Sequence, residues 1–199
     1  MPWIVFLGAD GAGKSTVIDR VTSYLCERGV EVNYQHWRPT LREKRDGKGQ
    51  LVDDPHALPP RGKVESWGKV FILMAIWRYS FLTHLKVARQ RGELIIFDRF
   101  YGDLLIDARR YRYGGGAWYA KMIFKLMPQP DLIFLLDADA EVLFQRKPEV
   151  ELGELKQIVS RYRAYVVKHI KGRIINAEQA VDLVVEDVLT EVHGLGVAD

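Results

Sequence analysis

Short runs of apolar residues recur along this chain, and between them lie longer segments in which apolar residues return every three or four positions. A short run is typical of a strand buried on both faces, and the longer pattern is typical of a helix with one face in the core. Such runs predict strands at 3–7, 93–97, 131–137 and 173–176, and alternation predicts another at 30–34. The longer pattern predicts helices at 15–28, 64–91, 101–110, 118–126, 140–145, 152–170 and 178–193.

Strands and helices therefore alternate along the whole chain. Consecutive strands joined by helices must pair in parallel through right-handed crossovers, with helices on both faces of the sheet. Gly29 and Gly92 follow the first and the longest helix, where glycine commonly ends a helix. The pattern predicts an α/β fold of three layers that forms a single domain, 1–199.

The predicted helix 64–91 carries a charged residue on its apolar stripe. The stripe consists of Trp67, Phe71, Met74, Leu82 and Leu85. Arg78 falls on the same stripe, and a buried guanidinium needs an anion or a polar ligand. The alternatives are a structural ion pair, or a side chain that extends to the edge of the core.

The composition changes between residues 40 and 63, where prolines, glycines and charged residues replace the apolar pattern. A loop of this length inside a compact domain is commonly a lid or binding loop, or else it is disordered. Both interpretations stay open.

The composition of the 199 residues is ordinary for a globular protein, with 48% apolar and 28% charged residues. A net charge of +3 does not indicate a nucleic acid partner. The single cysteine, Cys26, forms no internal disulfide, which favours the cytoplasm. The apolar start has no basic segment and is predicted to be a strand, not a signal peptide. The later apolar run 70–77 is too short to span a bilayer, so no membrane partner is expected.

Gly8, Gly13, Lys14 and Ser15 have the spacing of a Walker A loop between a buried strand and a helix. Glycines let backbone N–H groups converge on a phosphate, and the helix that follows adds its positive end. Lys14 would reach the β- and γ-phosphates and Ser15 would bind Mg²⁺. The residues expected to hold the nucleotide are Gly8, Asp10, Gly11, Ala12, Gly13, Lys14, Ser15 and Thr16.

Two strand ends carry acidic residues. Asp98 and Arg99 stand at the carboxyl end of the predicted strand 93–97, where open α/β sheets bind their ligands. Asp98 would hold the waters of the metal ion, and its alternative role is a helix N-cap. Asp137 is followed by Ala138, Asp139 and a helix, and a capping role is favoured for it over a catalytic one.

Asp103 and Asp107 stand one helical turn apart in the predicted helix 101–110, so they should face the same way. Either neighbouring arginines satisfy them, or they bind hydroxyl groups of an acceptor, or one of them is a general base toward a hydroxyl. The arginines that could satisfy them are Arg99, Arg109 and Arg110. Farther along, Arg161 and Arg163 are expected on a solvated basic face, with contact to the donor phosphates as the alternative.

The chain resembles the thymidylate kinase family of P-loop nucleoside monophosphate kinases over nearly its whole length. The matching motifs are the Walker loop, Arg38-Pro39, M-A-I-W-R ending at Arg78, D-R-F at Asp98, P-D-L-I-F-L-L-D ending at Asp137, and Arg146. The resemblance implies a five-stranded parallel sheet, ATP with Mg²⁺ as the donor, and a short lid at 146–153.

The resemblance also implies roles for single residues. Arg38 and Arg99 would hold the phosphate of the acceptor, and Arg78 would contact its base. Lys14 and Arg146 would neutralise charge on the transferred phosphate, together with the metal held by Ser15 and Asp98. The expected partner is a phosphorylated small molecule, and a homodimer is left open.

The acceptor half departs from the family pattern. Met74 replaces the usual phenylalanine that stacks on thymine, and Asp103 and Asp107 stand where the family has a serine and a tyrosine. Carboxylates there would favour an acceptor with more hydrogen-bond donors, so thymidylate is expected to be a poor substrate.

The leading interpretation is a nucleoside monophosphate kinase. The alternative is a kinase of the same fold that acts on a nucleoside or a sugar-like metabolite. A GTP-dependent switch is disfavoured because the chain has no N-K-x-D motif and Asp98 is not followed by the expected glycine. A nucleotide-binding module without catalysis is disfavoured by the presence of Lys14, Ser15 and Asp98.

Overall fold

Five parallel strands in the order β2-β3-β1-β4-β5 form the centre of the protein. The computed structural model describes residues 1–37 and 59–197. The strands are β1 (Trp3–Leu7), β2 (Val32–His36), β3 (Leu94–Asp98), β4 (Leu132–Asp137) and β5 (Gly172–Asn176). The predicted five-stranded parallel sheet is confirmed. The second strand begins two residues later than predicted, because Val30 N–H still bonds to the carbonyl of Leu25 at the end of the first helix.

Helices cover the two faces of the sheet, as the alternating pattern predicts. They are α1 (Lys14–Glu27), α2 (Lys63–Ser80), α3 (Lys86–Gln90), α4 (Asp103–Ile106), α5 (Ala117–Phe124), α6 (Ala140–Arg146), α7 (Leu152–Val167) and α8 (Val181–His193), with a π-helical turn at Phe81–Leu85 that joins α2 to α3. Together with the sheet they form the three-layer α/β fold.

The three inner strands are apolar because both of their faces are covered. Phe6 of β1 stacks on Phe134 of β4 with ring centroids 5.1 Å apart, and in the other direction Phe6 is paired with Asp98 of β3. This register brings the carboxyl ends of β1, β3 and β4 to one edge of the sheet. The loop that begins at Gly8 starts from this edge.

The apolar stripe predicted for the long helix is displaced by one residue over most of α2. The buried positions are Ser66, Val70, Met74 and Trp77, followed by Leu85 and Ala88 beyond the π turn. Phe71 and Leu82 are exposed, as is Arg78, whose Nη1 donates to the carbonyl of Leu126 at 2.7 Å. The prediction that Arg78 lies on the core-facing stripe is therefore wrong.

The same helix bears on the expected absence of a membrane partner. Among residues 1–37 and 59–197, Lys63–Gln90 is long enough to cross a bilayer, with a mean hydropathy of 1.3 in its most apolar window and 22% of that window buried. The apolar run 70–77 underestimates the length of the apolar helix, because it omits the helical turns on either side of the run. Length and composition thus leave this helix as a candidate span, although it packs against α5 and β3.

The predicted helix 101–110 is only four residues long in the structure. It ends at Ile106, and Asp107 has left the helical conformation with φ −126° and ψ 70°. Beyond it the chain turns so that Tyr111 and Tyr113 are buried, and Tyr113 N–H bonds back to the carbonyl of Ala108. Burial of these two rings competes with continued helix, which a local pattern does not register.

Candidate active site

The loop between β1 and α1 has the backbone of a phosphate-binding turn. Gly8 and Gly13 have φ values of 149° and 78°, which favour glycine. A Cβ at Gly8 would lie 2.8 Å from the carbonyl oxygen of Leu136, so β4 leaves no room for a side chain there. The loop then enters α1, whose first turn has no acidic residue and leaves its positive end unopposed.

Lys14 begins α1 and turns its ammonium group back over the loop. Its Nζ donates to the carbonyl oxygens of Gly8 and Ala9 at 2.9 and 3.0 Å. Burial, together with the positive charge of Arg99, lowers the pKa of Lys14 from 10.5 to about 7. A phosphate in the loop would add negative charge beside the ammonium group and favour its protonated form.

Asp98 ends β3 beside this loop. Its Oδ2 lies 3.1 Å from Nδ1 of His36, while Oδ1 is buried without a hydrogen-bond partner among the described residues. Although burial acts to raise the pKa of this carboxyl, the hydrogen bond from His36 and the charge of Lys14 lower it, so Asp98 is ionised. The N-cap of α4 is Gly102, so the capping alternative for Asp98 is wrong.

An ionised carboxylate with an unpartnered buried oxygen fits a divalent cation, whose ligands are oxygens. The hydroxyl of Ser15 is exposed in the first turn of α1, and Thr16 beside it is also exposed. Ser15 and Asp98 would therefore hold Mg²⁺ between them, Asp98 through waters. When bound, the ion would neutralise charge on the donor phosphates.

Arg99 connects the end of β3 to two carboxylates. Its Nη1 donates to Asp103 at 3.0 and 3.2 Å and to the hydroxyl of Tyr162 at 2.8 Å, and its Nη2 donates to Asp10 at 2.8 Å. Its φ of 67° is a left-handed conformation that costs a residue with a Cβ about 1 kcal/mol. Although burial acts to lower the pKa of Arg99, the charge of Asp103 raises it, so the guanidinium is held charged.

Asp103 is fully buried and its oxygens are occupied by protein donors. Besides Arg99, it accepts hydrogen bonds from the hydroxyls of Tyr111 and Tyr162. Burial and the charge of Asp103 raise the pKa of both tyrosines, which keeps them protonated as donors. The expectation that Asp103 faces the acceptor is therefore wrong, and the alternative in which Arg99 satisfies it is confirmed.

Asp107 is also buried, but it does not form a pair with Asp103 on one helical face, since the helix ends between them. Its Oδ1 accepts from the backbone N–H of Arg110 at 3.1 Å. It lines a small cavity together with Asp10, Arg110 and Lys147. Of the arginines considered for these carboxylates, Arg109 pairs instead with Glu154 at 2.9 Å.

Asp10 is the residue of the Walker loop that contacts two arginines. It accepts from Arg99 and from Nη1 of Arg110. Burial acts to raise the pKa of Asp10, but the charges of Arg99, Arg110 and Lys14 outweigh it and hold the pKa well below its usual range. Arg110 was expected near Asp103 and Asp107 and contacts Asp10 through its guanidinium. Tyr111 and Tyr162 were not predicted as members of this network, because no local spacing relates them to Asp10 or Arg99.

Arg146 ends α6 close to the Walker loop. A Cβ at Gly11 would lie 3.5 Å from the Cβ of Arg146, and the Arg146 guanidinium donates to the carbonyl of Ala177 at 3.1 Å. Its side chain is exposed and within reach of the loop, and its catalytic role stays a prediction.

Arg163 is half-exposed, and it also bridges the end of β4 and the loop that follows. Its Nε lies 2.8 and 2.9 Å from the two oxygens of Asp137, and its Nη2 lies 3.1 Å from Asp139. Asp137 is thus an ion-pair partner and the capping role favoured for it is wrong. Arg161 contacts Gln157 and is exposed, as expected.

Two further acceptor residues remain predictions. Met74 is buried in α2, and Arg78 lies one turn farther along on the exposed side. Arg38 lies outside the described residues, as do residues 40–58 of the predicted long loop.

The arrangement defines a class of protein. A Walker loop at the carboxyl edge of a 2-3-1-4-5 parallel sheet, with a strand-end aspartate and a charged arginine network beside it, is the site of a P-loop phosphotransferase. The chain belongs to the thymidylate kinase family, whose family model matches residues 6–188. It is accordingly a phosphotransferase of the nucleoside monophosphate kinase type.

Relatives of known name agree with this assignment. The chain is 26% identical over 190 residues to a protein of Methanobrevibacter smithii named "Probable thymidylate kinase", with 94% of this chain and 91% of the relative covered. It is 28% identical over 203 residues to the thymidylate kinase of Desulfotalea psychrophila, with 96% and 94% covered. Another "Probable thymidylate kinase", from Archaeoglobus fulgidus, is 30% identical over 148 residues, with 70% and 65% covered.

Proposed function

We propose that the protein transfers the γ-phosphate of ATP to thymidylate, with Mg²⁺ as the cofactor. The observation that carries this proposal is the buried Oδ1 of Asp98 beside the Walker loop, which has no hydrogen-bond partner in the described part of the chain, with the charged Arg99 as the next residue. A metal-binding carboxylate and a phosphate-binding cation are thereby adjacent in the chain. The names of the relatives supply the acceptor.

Phosphoryl transfer chiefly requires positioning and charge neutralisation, and each residue of the candidate active site has such a role. Lys14 and the N–H groups of the loop bind the donor phosphates, and Arg146 closes over them from α6. Arg99 and Arg38 bind the acceptor phosphate. The metal is held by Ser15 and, through waters, by Asp98.

Thymidylate is a better candidate than the departures from the family pattern indicate. The argument against it rested largely on two carboxylates facing the acceptor, and Asp103 is engaged by Arg99, Tyr111 and Tyr162. Met74 is buried and offers an apolar surface to a base. The alternative acceptors, a nucleoside or a sugar-like metabolite, therefore lose the feature that favoured them.

The test is a screen of acceptors with ATP and Mg²⁺ that follows ADP release. Thymidylate should be phosphorylated with a kcat/KM of about 10⁴ M⁻¹s⁻¹ or more. Thymidine should react at least about a hundredfold more slowly, because it lacks the phosphate that Arg99 binds. If a nucleoside or a sugar is preferred to every monophosphate, the proposal is wrong.

We also propose that the protein acts as a homodimer in the cytoplasm, paired through the exposed face of α2. Phe71, Tyr79 and Trp118 of neighbouring α5 are 59%, 68% and 62% exposed. An aromatic side chain covers about 150–250 Å², so these three alone expose roughly 300–450 Å². The other large apolar side chains exposed on α2, the π turn, α5 and the turn after α5 are Val64, Ile72, Ile76, Leu82, Met122 and Leu126.

A stable dimer buries about 800 Å² on each partner, which this face can supply. Sedimentation of the parent should give a dimer, and Phe71→Glu with Tyr79→Glu should give a folded monomer. The matched control, Lys86→Glu with Arg91→Glu, should stay dimeric. A parent monomer would contradict the proposal, and flotation with lipid vesicles would assign this face to a membrane instead.

A further inference from the structure

A second cleft lies between α5 and α7, away from the Walker loop. It has a volume of about 470 Å³ and is lined by residues of α4, α5 and α7 and of the segments beside them. The C-terminal ends of α5 and α7 lead into β4 and β5, whereas Tyr101, Leu105 and Ile106 follow the carboxyl end of β3, so the cleft lies along the flank of the sheet. The donor and acceptor residues lie at the carboxyl edge and do not line it.

The floor of the cleft is aromatic. Tyr101 and Phe124 are buried there with ring centroids 4.8 Å apart. On the α7 side the rings of Tyr165 and His169 lie 4.4 Å apart, and Nδ1 of His169 donates to the carbonyl of Tyr165 at 2.7 Å. These contacts fix both rings in place, so the cleft presents flat surfaces on which a planar ring can pack.

The rim of the cleft is positively charged. Lys121, Lys125, Arg161 and Lys168 are exposed around it, and no aspartate or glutamate is among the residues that line it. In the described part of the chain, the three lysines form no ion pair or hydrogen bond through their ammonium groups. Some other surface cations have carboxylate partners, such as Arg109 with Glu154 and Arg173 with Glu191.

The charge of the rim cannot be attributed to the helix ends alone. The carboxyl ends of α5 and α7 carry partial negative charge, which lysines nearby offset. That charge amounts to about half an elementary charge for each helix, so the cations of the rim exceed it. An anion in the cleft would consequently depend on the lysine side chains and not on backbone N–H groups.

We propose that this cleft binds a nucleoside phosphate as a second nucleotide site, separate from the donor and acceptor sites. The base packs on the half-buried rings of Tyr165 and His169 above the aromatic floor, and the phosphates contact Lys121, Lys125 and Lys168 on the rim. The volume is within the range of about 300–1,000 Å³ that holds small ligands. A single concave site with an aromatic floor suits a nucleotide better than an extended acidic peptide.

The test counts the nucleotides bound by the full chain. Equilibrium dialysis is done with ATP, GTP, CTP and dTTP separately, without an acceptor, for the parent and two charge-matched variants. Lys121→Glu with Lys168→Glu alters the cleft, and Lys86→Glu with Arg91→Glu makes the same change of charge on exposed residues outside it. Thermal midpoints establish that both variants fold.

For at least one nucleotide, the number of molecules bound per chain should be higher by one in the parent and in the control than in the cleft variant. Lys14→Ala should leave this extra equivalent in place, which separates it from the donor site. The proposal is overturned if no nucleotide shows an extra equivalent, or if the extra equivalent persists in the cleft variant. Polyglutamate that binds the parent but not the cleft variant, while no nucleotide shows an extra equivalent, would assign the cleft to an acidic peptide and would also overturn the proposal.

Discussion

Arg99 donates to the carboxylate of Asp10 at 2.8 Å, which ties the end of β3 to the Walker loop. The donor loop and the arginine assigned to the acceptor phosphate are therefore in direct contact before either substrate binds. The same guanidinium is held from its other side by Asp103. Substitutions in this chain of charges should separate its structural role from its role in transfer.

Asp10→Asn should lower the free energy of unfolding by about 3 kcal/mol at pH 7, because it leaves Arg99 and Arg110 without one of their partners. The pKa of Asp10 lies below its ordinary value of 3.8 in the folded protein, so its stabilisation is present above about pH 4. It is lost as the pH falls further. Urea unfolding of parent and variant at several pH values measures this difference, which should shrink in acid and would be constant if Asp10 made no charged contact.

Asp103→Asn should lower the free energy of unfolding by about 3–5 kcal/mol, because a buried ion pair loses one charge. The freed Arg99 should also raise the KM of the acceptor about tenfold and leave the Kd of ATP unchanged. Steady-state kinetics and nucleotide titration separate the two effects.

A milder variant keeps that test informative if Asp103→Asn does not fold. Tyr111→Phe removes one hydrogen bond to Asp103 and keeps the charge pair, so it should cost about 1–2 kcal/mol with little change in acceptor KM. Equal changes in acceptor KM for the two variants would mean that Asp103 does not position Arg99.

Lys14→Ala should lower kcat by at least about a thousandfold while the thermal midpoint without nucleotide changes little. Among residues 1–37 and 59–197, the ammonium group donates only to two loop carbonyls, and burial lowers its pKa to about 7, so its charge is unfavourable there. Turnover and the shift of the midpoint with ATP and Mg²⁺ are measured, with exposed Lys86→Ala as the control. Turnover within tenfold of the parent would contradict the role of the loop.

Gly8→Ala should destabilise the protein by at least about 2 kcal/mol more than Gly13→Ala. Both glycines have positive φ, so both variants carry the backbone strain of about 1–2 kcal/mol. Only at Gly8 would the new Cβ meet a fixed atom, the Leu136 carbonyl oxygen at 2.8 Å, since nothing lies within 4 Å at Gly13. Chemical denaturation gives both values, and equal costs would mean that β4 yields to the methyl group.

The strands and the donor loop were predictable because each is encoded locally. The three inner strands are continuous apolar runs, and the spacing of the Walker motif by itself predicts the backbone geometry of the loop. The network around Arg99 was not predictable in detail, because Tyr162 lies 63 residues away and is brought in by the packing of α7. The sequence predicted Asp103 and Asp107 on one face of a long helix. That helix ends after four residues, because Tyr111 and Tyr113 are buried instead.

The predicted stripe on the long helix failed for a different reason. A helical stripe with steps of three and four can be drawn through the predicted residues or through residues one position earlier. Phe71 and Val70 are both apolar, so the sequence does not decide between the two stripes. Packing against β3 and α5 selects the second set, so Arg78 is left outside the core.

The π-helical turn at Phe81–Leu85 inserts one residue into the phase of the helix. In an uninterrupted α-helix, two turns beyond buried Trp77 would bring His84 to the core, whereas the insertion leaves His84 exposed and buries Leu85 in its place. Each residue of an α-helix turns the following segment by about 100°, so removal of one residue here would point α3 away from β3. The turn thereby acts as a frame correction, which allows a single helix to present an apolar side chain to the sheet at both of its ends.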